Sequence, residues 1–190
     1  MVDRLRKKDW IVRPMQIDRG IELCKEHHYS RGASKTSAIT FGLFPRNAFF
    51  DCEAMGTAIW MPPAPAVAKR YGVTLDKILA LSRLAIAPSV PANGASFTIG
   101  CSIRLIKKKL PHIQYLVTYA DTMEGHDGGI YKATNWTYDG LTSPKARWVD
   151  DAGVMVSSMK GPGVNLTVLE MQKIATFKGR WPMHRFYLQL

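Results

Sequence analysis

The sequence lacks the closely spaced cysteines from which disulfide frameworks and zinc sites are built. Its three cysteines are Cys24, Cys52 and Cys101, and no two of them form a C-x-x-C pair. An odd number of widely separated cysteines argues against a disulfide framework and against a zinc knuckle. We therefore expect a reducing compartment, and the cytoplasm fits best.

Long hydrophobic runs are also missing. No apolar stretch approaches the roughly 20 residues that a membrane-spanning helix needs. The basic residues near the N-terminus are followed by no apolar run, so we expect no secretory signal. The chain has no internal repeat and no low-complexity tract, and we expect no association with a membrane.

Acidic residues are scarce. The 190 residues include 26 Lys and Arg against 15 Asp and Glu, which gives a formal net charge of +11. The hydrophobic fraction of 46% excludes a disordered chain, and the length predicts one domain over residues 1–190. The excess of base favours an anionic partner, which is nucleic acid, a phosphorylated cofactor or a membrane surface. Many basic proteins bind no nucleic acid, so the charge alone does not choose among these.

Strand-like and helix-like segments alternate along the chain, which predicts an α/β or α+β domain. The predicted strands cover residues 10–13, 36–44, 55–61, 78–87, 114–120 and 185–190, and a further strand starts at 136–139. The predicted helices cover residues 17–28, 66–71, 95–110, 128–134 and 167–177. We expect the second and third strands to pair as antiparallel neighbours, residues 78–120 to form the centre, and the turn-rich segment 142–162 to decorate the core.

The loop before the helix at residue 95 is the first candidate site. Asn93, Gly94, Ala95 and Ser96 span the start of this helix, where Asn93 or Ser96 can cap the first turn. A helix N-terminus with free amides binds anions, and glycine allows a ligand to come close to the backbone. The alternative is a plain turn between a strand and a helix.

The second candidate is Asp121, which ends a predicted buried strand. Open α/β sheets bind ligands at the carboxyl ends of their strands. Three glycines follow, and His126 and Tyr131 add titratable groups. The alternative is an aspartate that caps a helix and a tyrosine that fills the core.

Arg83 lies in the apolar run 78–87, where an unpaired charge would be costly. We expect it to pair with Asp121 on a neighbouring strand, either at a site or as a structural ion pair. His27 and His28 end the first helix, where adjacent residues point in different directions and make no metal site alone. A metal site stays open if His126 or His184 lies near them. Cys101 is either a thiolate activated by the helix dipole or a small core residue.

The same residues resemble the Mom family of bacteriophage DNA-modification proteins, which is related to the GNAT acyltransferase superfamily. Three blocks in order carry the resemblance, and they are Leu81-Ser82-Arg83-Leu84, then Ala95-Ser96-Phe97 with Ile99-Gly100 and Ser102-Ile103-Arg104, then Tyr119-Ala120-Asp121 through Gly125-His126 and Ile130-Tyr131 to Asn135-Trp136. His28-Tyr29 and His184-Arg185-Phe186 also look like family features.

The resemblance implies a GNAT-like fold, with a central mixed, mostly antiparallel sheet flanked by helices. It implies an enzyme that converts adenine N6 in double-stranded DNA to its carbamoylmethyl form in a bacterial host and so protects phage DNA from restriction. Arg83, Asp121 and Tyr131 would be the catalytic trio. Further positions at or near the substrate would be His28, Tyr29, Ser82, His126 and Trp136.

The chemistry agrees with these roles. The adenine amino group is a poor nucleophile, so it needs a base, orientation and stabilisation of developing charge. Asp121 would take or orient the amino proton, Tyr131 would donate to the leaving group or an oxyanion, and Arg83 would hold Asp121 or neutralise charge. The base must be flipped out and stacked on an aromatic ring, for which the candidates are Tyr29, Trp60 and Trp136. Phosphates would meet the basic N-terminal arm and Lys107, Lys108 and Lys109, unless these lysines form only a solvated face.

One departure from the superfamily concerns the donor. GNAT enzymes usually have Gln or Arg, two residues, Gly, one residue, then Gly or Ala at the pyrophosphate loop. Gly94 matches this pattern, whereas Pro91 and Ser96 do not. The donor is therefore open between a coenzyme A thioester and another activated acyl or aminoacyl carrier. An iron ion is a further possible cofactor, with His28 as a ligand. The oligomeric state is open, and a dimer is one of the alternatives.

Two other functions stay open at this point. One is a GNAT-like N-acyltransferase that acts on a small amine or a protein, with the positive charge serving an acidic carrier. The other is a DNA-binding module without catalysis, although binding alone does not require a carboxylate that faces DNA.

Overall fold

The computed structural model of the protein describes residues 4–36, 39–157, 159–161 and 164–190. The helices are α1 (Ile17–His27), α2 (Pro65–Arg70), α3 (Gly94–Lys109), α4 (Gly129–Lys132) and α5 (Val168–Gln172). The strands are β1 (Trp10–Pro14), β2 (Ile39–Pro45), β3 (Gly56–Met61), β4 (Ile78–Ile86), β5 (Tyr115–Asp121), β6 (Thr137–Leu141), β7 (Lys145–Val149), β8 (Met155–Val156), β9 (Met159–Gly161), β10 (Val164–Asn165), β11 (Thr176–Trp181) and β12 (Met183–Gln189). No helix in these ranges combines the length and the apolar character that crossing a bilayer requires.

A seven-stranded sheet forms the centre, in the order β1-β2-β3-β4-β5-β12-β6. Within the described residues β4 and β5 are its one parallel pair, and the other neighbours are antiparallel. The predicted mixed, mostly antiparallel sheet flanked by helices is confirmed, as is the antiparallel pairing of β2 with β3. The parallel pair is reached through α3, which is the crossover that such a pair needs.

Helices cover both faces of this sheet. Ile59 and Trp60 are neighbours in β3, so their side chains point to opposite faces. Cys24 of α1 packs with Ile59 on one face, whereas Ile99 of α3 packs with Trp60 on the other. Because both faces are covered, β4 can begin with four apolar residues in a row, as the sequence predicts for a buried central strand.

The parallel pair opens at its carboxyl end. Residues 78–81 of β4 pair with residues 115–118 of β5, and the last pair is Leu81 with Thr118. Just beyond it, β4 carries a bulge, because Ile59 pairs with Arg83 while its neighbour Trp60 pairs with Leu81. A bulge adds a residue to one strand and bends it. The extra residue is Ser82, and the two strands separate from this point.

An accessory sheet replaces the irregular decoration that we expected for residues 142–162. β7 pairs with β8 on one side and with β11 on the other, and β9 pairs with β10. The expected helix over residues 167–177 is too long, because α5 ends at Gln172 and β11 starts at Thr176. Turn residues mask these short strands in the sequence. The expected start of β2 at residue 36 is also wrong, since β2 begins at Ile39 and residues 37–38 lie outside the described ranges.

Two glycines in the loop after β5 have the same backbone conformation but different surroundings. Gly125 has a φ of 71° and open space around the position of a Cβ, whereas a Cβ at Gly128, with a φ of 77°, would overlap the ring of Phe186. We expect Gly125→Ala to cost about 1 kcal/mol, from the backbone conformation alone. Gly128→Ala adds the overlap and should cost about 2 to 4 kcal/mol in total.

Urea denaturation of the two variants measures this difference. The Gly125→Ala protein is the matched control, because it carries the same substitution in the same region of backbone space. Equal losses in the two variants would contradict the close packing of the α4 start against Phe186.

Candidate active site

A cavity of about 520 Å³ lies between β4 and β5, where the two strands separate. The strands contribute Ser82, Arg83 and Leu84 on one side and Tyr119 and Ala120 on the other. The end of α1, the loop after β5 and the start of α4 complete the lining, with His27, His28, Tyr29, Gly125, His126, Asp127, Gly128, Gly129, Ile130, Tyr131 and Leu81. The cavity therefore reaches both faces of the sheet through the gap in it.

Strand register assigns the predicted trio to two faces. Arg83 pairs with Ile59 and shares the face that α1 covers. Asp121 lies three residues after Thr118, so its side chain lies on the opposite face from that of Thr118 and on the same face as Arg83. Tyr131 makes a hydrogen bond with Thr118, on the α3 side. Arg83 and Tyr131 both line the cavity, whereas Asp121 does not.

Arg83 has carbonyl groups as hydrogen-bond partners. Its Nε donates to the carbonyl of Gly32 at 2.8 Å, and Nη1 donates to the carbonyl of Ser82 at 2.7 Å. The expected ion pair with Asp121 is wrong, and within the described residues no carboxylate forms a salt bridge with this guanidinium. Its positive charge therefore acts on the cavity, and it helps to lower the pKa of His28.

Asp121 is paired with Arg147 of β7 instead. Arg147 Nη2 donates to Oδ2 of Asp121 at 2.9 Å, and the backbone N–H of Met123 donates to Oδ1 at 3.1 Å. The Asp121 side chain is 1% exposed and that of Arg147 is 13% exposed. An ion pair this buried holds β7 against the end of β5, since removing either partner leaves an uncompensated charge.

Arg147 is the partner of Asp121 that the sequence reasoning missed. It lies in the segment that we interpreted as turn-rich decoration. The signal available was the alternation of Ala146, Arg147 and Trp148 in a five-residue stretch, which is typical of a strand with one buried face. Nothing local in the sequence links that strand to Asp121.

His28 is neutral in the structure. Burial, Arg83 and His126 together lower its pKa to about 4. Its Nδ1 accepts the backbone N–H of Ser30 at 3.1 Å and lies 2.9 Å from the Ser30 hydroxyl. A nitrogen that accepts carries no proton in the neutral ring, so the His28 proton is on Nε2.

This arrangement does not fit the iron site considered for His28. A neutral histidine that binds a metal through Nε2 donates its other ring N–H to a partner. In His28 that other nitrogen accepts instead. Among the described residues, no three or more of His, Cys, Asp and Glu come together in a group suited to a metal ion. His126 does lie near, but His184 contacts the hydroxyl of Tyr138 on β6.

Tyr29 is the aromatic ring that the cavity offers to a flat ligand. It stacks on His28 with ring centroids 4.3 Å apart and meets the edge of His126 at 5.5 Å. Burial, followed by the charge of Asp121, raises the Tyr29 pKa to about 12. The other two stacking candidates are excluded, because Trp60 is 0% exposed and Trp136 is 5% exposed. Both belong to the core, where Trp136 packs against Tyr131.

Tyr131 stands at the point where the two strands separate. The first residues of α4 carry it there, and its ring packs between Trp136 and Phe186, with centroids 5.8 and 5.4 Å away. Burial raises its pKa, and the hydrogen bond with Thr118 opposes that shift. The hydroxyl therefore stays protonated at neutral pH and can donate.

The predicted donor loop borders a second cavity, of about 320 Å³. Asn93 and Ser96 line it together with Lys7 and Arg104, and Ala133 and Thr134 follow α4 on the far side. The predicted capping is wrong, since the Asn93 side chain makes no cap hydrogen bond and the Ser96 hydroxyl donates to the Asn93 carbonyl. A Cβ at Gly94 would overlap Val90, so close packing within the loop requires the glycine. Ala95 lies in the first turn of α3 and does not line this cavity.

The three lysines proposed for DNA lie at the other end of α3. This helix starts beside the carboxyl end of β4, and its 16 residues span about 24 Å. Lys107, Lys108 and Lys109 are exposed on its last turn, so they lie far from the central cavity. Arg104 donates to the sulfur of Cys101 at 3.0 Å, which favours a thiolate, but burial outweighs this contact and raises the Cys101 pKa, so the activated thiolate is not supported.

Comparison with known proteins agrees with this geometry. The model of the Mom protein family matches residues 9–180. The methylcarbamoylase mom of Escherichia phage Mu is 24% identical over 115 residues, which are 60% of this chain and 46% of that protein. The chain therefore matches just under half the length of this curated relative.

Solved structures show the same fold at low sequence identity. A mutant agmatine N-acetyltransferase in its apo form has a TM-score of 0.58 at 11% identity, and the match covers 96% of this chain and 100% of that one. Arabidopsis thaliana NAA60 in complex with acetyl-CoA scores 0.59 at 8% identity, covering 95% and 98%. A probable acetyltransferase of the GNAT family from Chromobacterium violaceum scores 0.57 at 7% identity, covering 100% and 87%. The fold is that of the GNAT acetyltransferases.

The buried pair predicts a compensation between two substitutions. Arg147→Ala leaves the Asp121 carboxylate buried without its partner and should lower the free energy of unfolding by about 3 to 5 kcal/mol. The double variant Arg147→Ala, Asp121→Asn removes both charges and should be less destabilised than Arg147→Ala alone. A double-mutant cycle measured by urea denaturation tests this. Additive losses would contradict a direct interaction.

His28 predicts a pH dependence of stability. Above the usual histidine pKa of 6.5, folded and unfolded chains both carry a neutral ring. As the pH falls below 6.5, the unfolded chain binds a proton that the folded chain does not, so stability falls until about pH 4. Allowing for the partly exposed ring, we expect a loss of about 1 to 2 kcal/mol.

Thermal melts between pH 7 and pH 5 measure this effect. In the His28→Gln variant the melting temperature should depend less on pH than in the wild type. His112→Gln is the matched control, because His112 is exposed and lies outside the cavity. The same flattening in both variants would contradict a special role for His28.

Proposed function

The chain belongs to the Mom protein family, whose model spans residues 9–180, and from this premise we propose that it transfers a carbamoylmethyl or acyl-type group to the N6 amino group of adenine in DNA. The observation that carries the proposal is the cavity that passes through the sheet between β4 and β5. Two substrates that enter such a passage from opposite faces meet inside it. A transferase needs this geometry, because donor and acceptor must be held in contact.

The donor side is the face that α3 and α4 cover. Lys7 and Arg104 supply positive charge to the cavity beside α3, which suits the phosphates of a carrier. A coenzyme A thioester is the donor class that we favour. The acetyl-CoA complex of NAA60, a protein with the same fold, supports that choice. The departures at Pro91 and Ser96 are consistent with phosphates held by side-chain charges rather than by the loop alone.

The acceptor side is the face that α1 covers. Tyr29 and His28 supply a stacked aromatic surface beside the gap, and base-modifying enzymes read a flipped base on such surfaces. The His28 Nε2–H is a hydrogen-bond donor for a ring nitrogen of the base. The apolar part of the cavity, Leu81 and Leu84, excludes water from the reacting atoms.

If the donor is an acyl compound, the reaction needs one group that stabilises negative charge and two proton transfers. The N6 nitrogen forms a bond to the donor carbonyl carbon, and the bond from that carbon to the leaving group breaks. The product is an N6-acyl adenine, and this step alone does not give a carbamoylmethyl group, which is joined to nitrogen through a methylene carbon. Arg83 stabilises the negative charge on the carbonyl oxygen in between. Tyr131 donates a proton to the leaving group, and the proton lost from nitrogen passes to His126, which lines the cavity and is exposed. Asp121 acts as a positioning residue, because its ion pair with Arg147 holds β7 against the end of β5. Modification of adenine would protect the DNA from restriction.

Nucleoside analysis of DNA from cells that express the protein tests this proposal. Wild type should yield a modified adenine nucleoside, and mass spectrometry of that nucleoside identifies the added group. Tyr131→Phe removes the acid and should lower the rate of modification about a hundredfold or more. Tyr138→Phe is the matched control, because its hydroxyl contacts His184 outside the cavity and its loss should leave the rate within about twofold.

Unmodified adenine with soluble wild-type protein would overturn the DNA assignment. Acylation of small amines by that same protein, with no affinity for DNA, would favour an N-acyltransferase of small substrates. Salt-dependent DNA binding without any modification by wild type would favour a binding module.

A further inference from the structure

A third cavity, of about 630 Å³, lies between the central sheet and the accessory sheet. One wall is the segment after α1, with Ser30, Gly32 and Ala33. The opposite wall is β7 and β8, and the first turn of α5 closes one side. Arg83 lines this accessory cavity and the central cavity alike, so the two adjoin at its side chain.

The charged residues that line the accessory cavity are all cationic. Arg83, Lys145 and Arg147 line it, and none of its lining residues is acidic. The charge of Arg147 is balanced by Asp121, which lies behind it. Arg83 and Lys145 have no carboxylate partner in the part of the chain that the structure describes. Two uncompensated positive charges therefore face the same space, and an anion is the ligand that this charge favours.

Most of the remaining lining is apolar and suits a sugar or a base. Trp148, Met155 and Val156 come from the accessory sheet, and Val168 and Met171 come from α5. The volume lies in the range of small-molecule sites. A charged edge beside an apolar wall has the chemistry of a nucleotide, whose phosphate is anionic and whose other parts are largely flat or apolar.

We propose that the accessory cavity binds the acceptor DNA strand beside the flipped adenine, with Lys145 and Arg83 on its phosphodiester. The inference rests on the proposed function and names the surface that delivers its substrate. A base in the central cavity brings its own phosphate towards the shared wall at Arg83, and the next nucleotide then lies in the accessory cavity. The accessory sheet thus takes the role that the sequence suggested for Lys107, Lys108 and Lys109.

Binding of duplex DNA to the full chain, followed by fluorescence anisotropy at several salt concentrations, tests this inference. The duplex carries a mismatched adenine, because flipping costs least there. Lys145→Ala should weaken binding roughly five- to tenfold near 0.1 M salt and lower the slope of log affinity against log salt by about one. Lys145→Arg should restore both quantities, since it keeps the charge.

Lys109→Ala is the matched control, with the same loss of one exposed charge at the far end of α3. It should leave affinity and slope unchanged. Stabilisation of Lys145→Ala by acetyl-CoA in a thermal-shift assay should equal that of wild type, because the donor side is untouched. Because the Lys145 side chain is exposed, the Lys145→Ala variant should retain its fold.

The outcomes separate the inference from the proposed function. If wild type binds DNA but Lys145→Ala keeps the full salt slope, or if Lys109→Ala loses as much as Lys145→Ala, the accessory cavity is not the DNA site. If wild type binds no DNA at all, the proposed function fails, and this inference fails with it.

Discussion

The separation of β4 from β5 after the Leu81–Thr118 pair is the constraint on which the rest of the site depends. A parallel pair that stayed closed would leave no passage through the sheet. The bulge at Ser82 opens it, and the Ser82 hydroxyl bonds the Ile59 carbonyl at 3.2 Å, which holds the bulge to β3. Packing on Phe186 fixes Tyr131 at the point where the two strands separate. The chemistry is thus located by strand geometry, since the cavity exists only where main-chain pairing stops.

The electrostatics of the site depend on which of two arginines pairs with the one buried carboxylate, Asp121. Because Arg147 pairs with Asp121, Arg83 is left with carbonyl partners and keeps its full charge. Burial lowers the pKa of His28, and the charge of Arg83 adds to that shift, so the ring stays neutral. The same pairing attaches the accessory sheet to β5. One ion pair therefore decides which cation is available to a ligand and where the wall of the accessory cavity lies.

Most of the central sheet and its helices could be predicted from local patterns, because each strand or helix there carries its own periodicity and stop signals. Ile99, Ile103 and Ile106 face the core as the helical spacing predicts. The partner of Asp121 could not be predicted in this way, since Arg147 is 26 residues distant and reaches it only through sheet packing. The burial of Trp60 and Trp136 was missed for a similar reason. An aromatic residue near a motif is open to either role until the face of its strand is known.

The positions of the positive charges say more about the ligand than the total net charge does. The chain carries a formal net charge of +11. A solvated lysine group such as that of α3 adds to long-range attraction, which salt screens within about 10 Å at 0.1 M. Charges at the cavity walls act at contact distance and depend on geometry. Arg83 lines the central cavity and the accessory cavity, so its charge acts at contact distance on a ligand in either of them. Under the proposed function, a nucleotide in DNA, which is anionic beside its reacting amine, would contact Arg83 from both cavities.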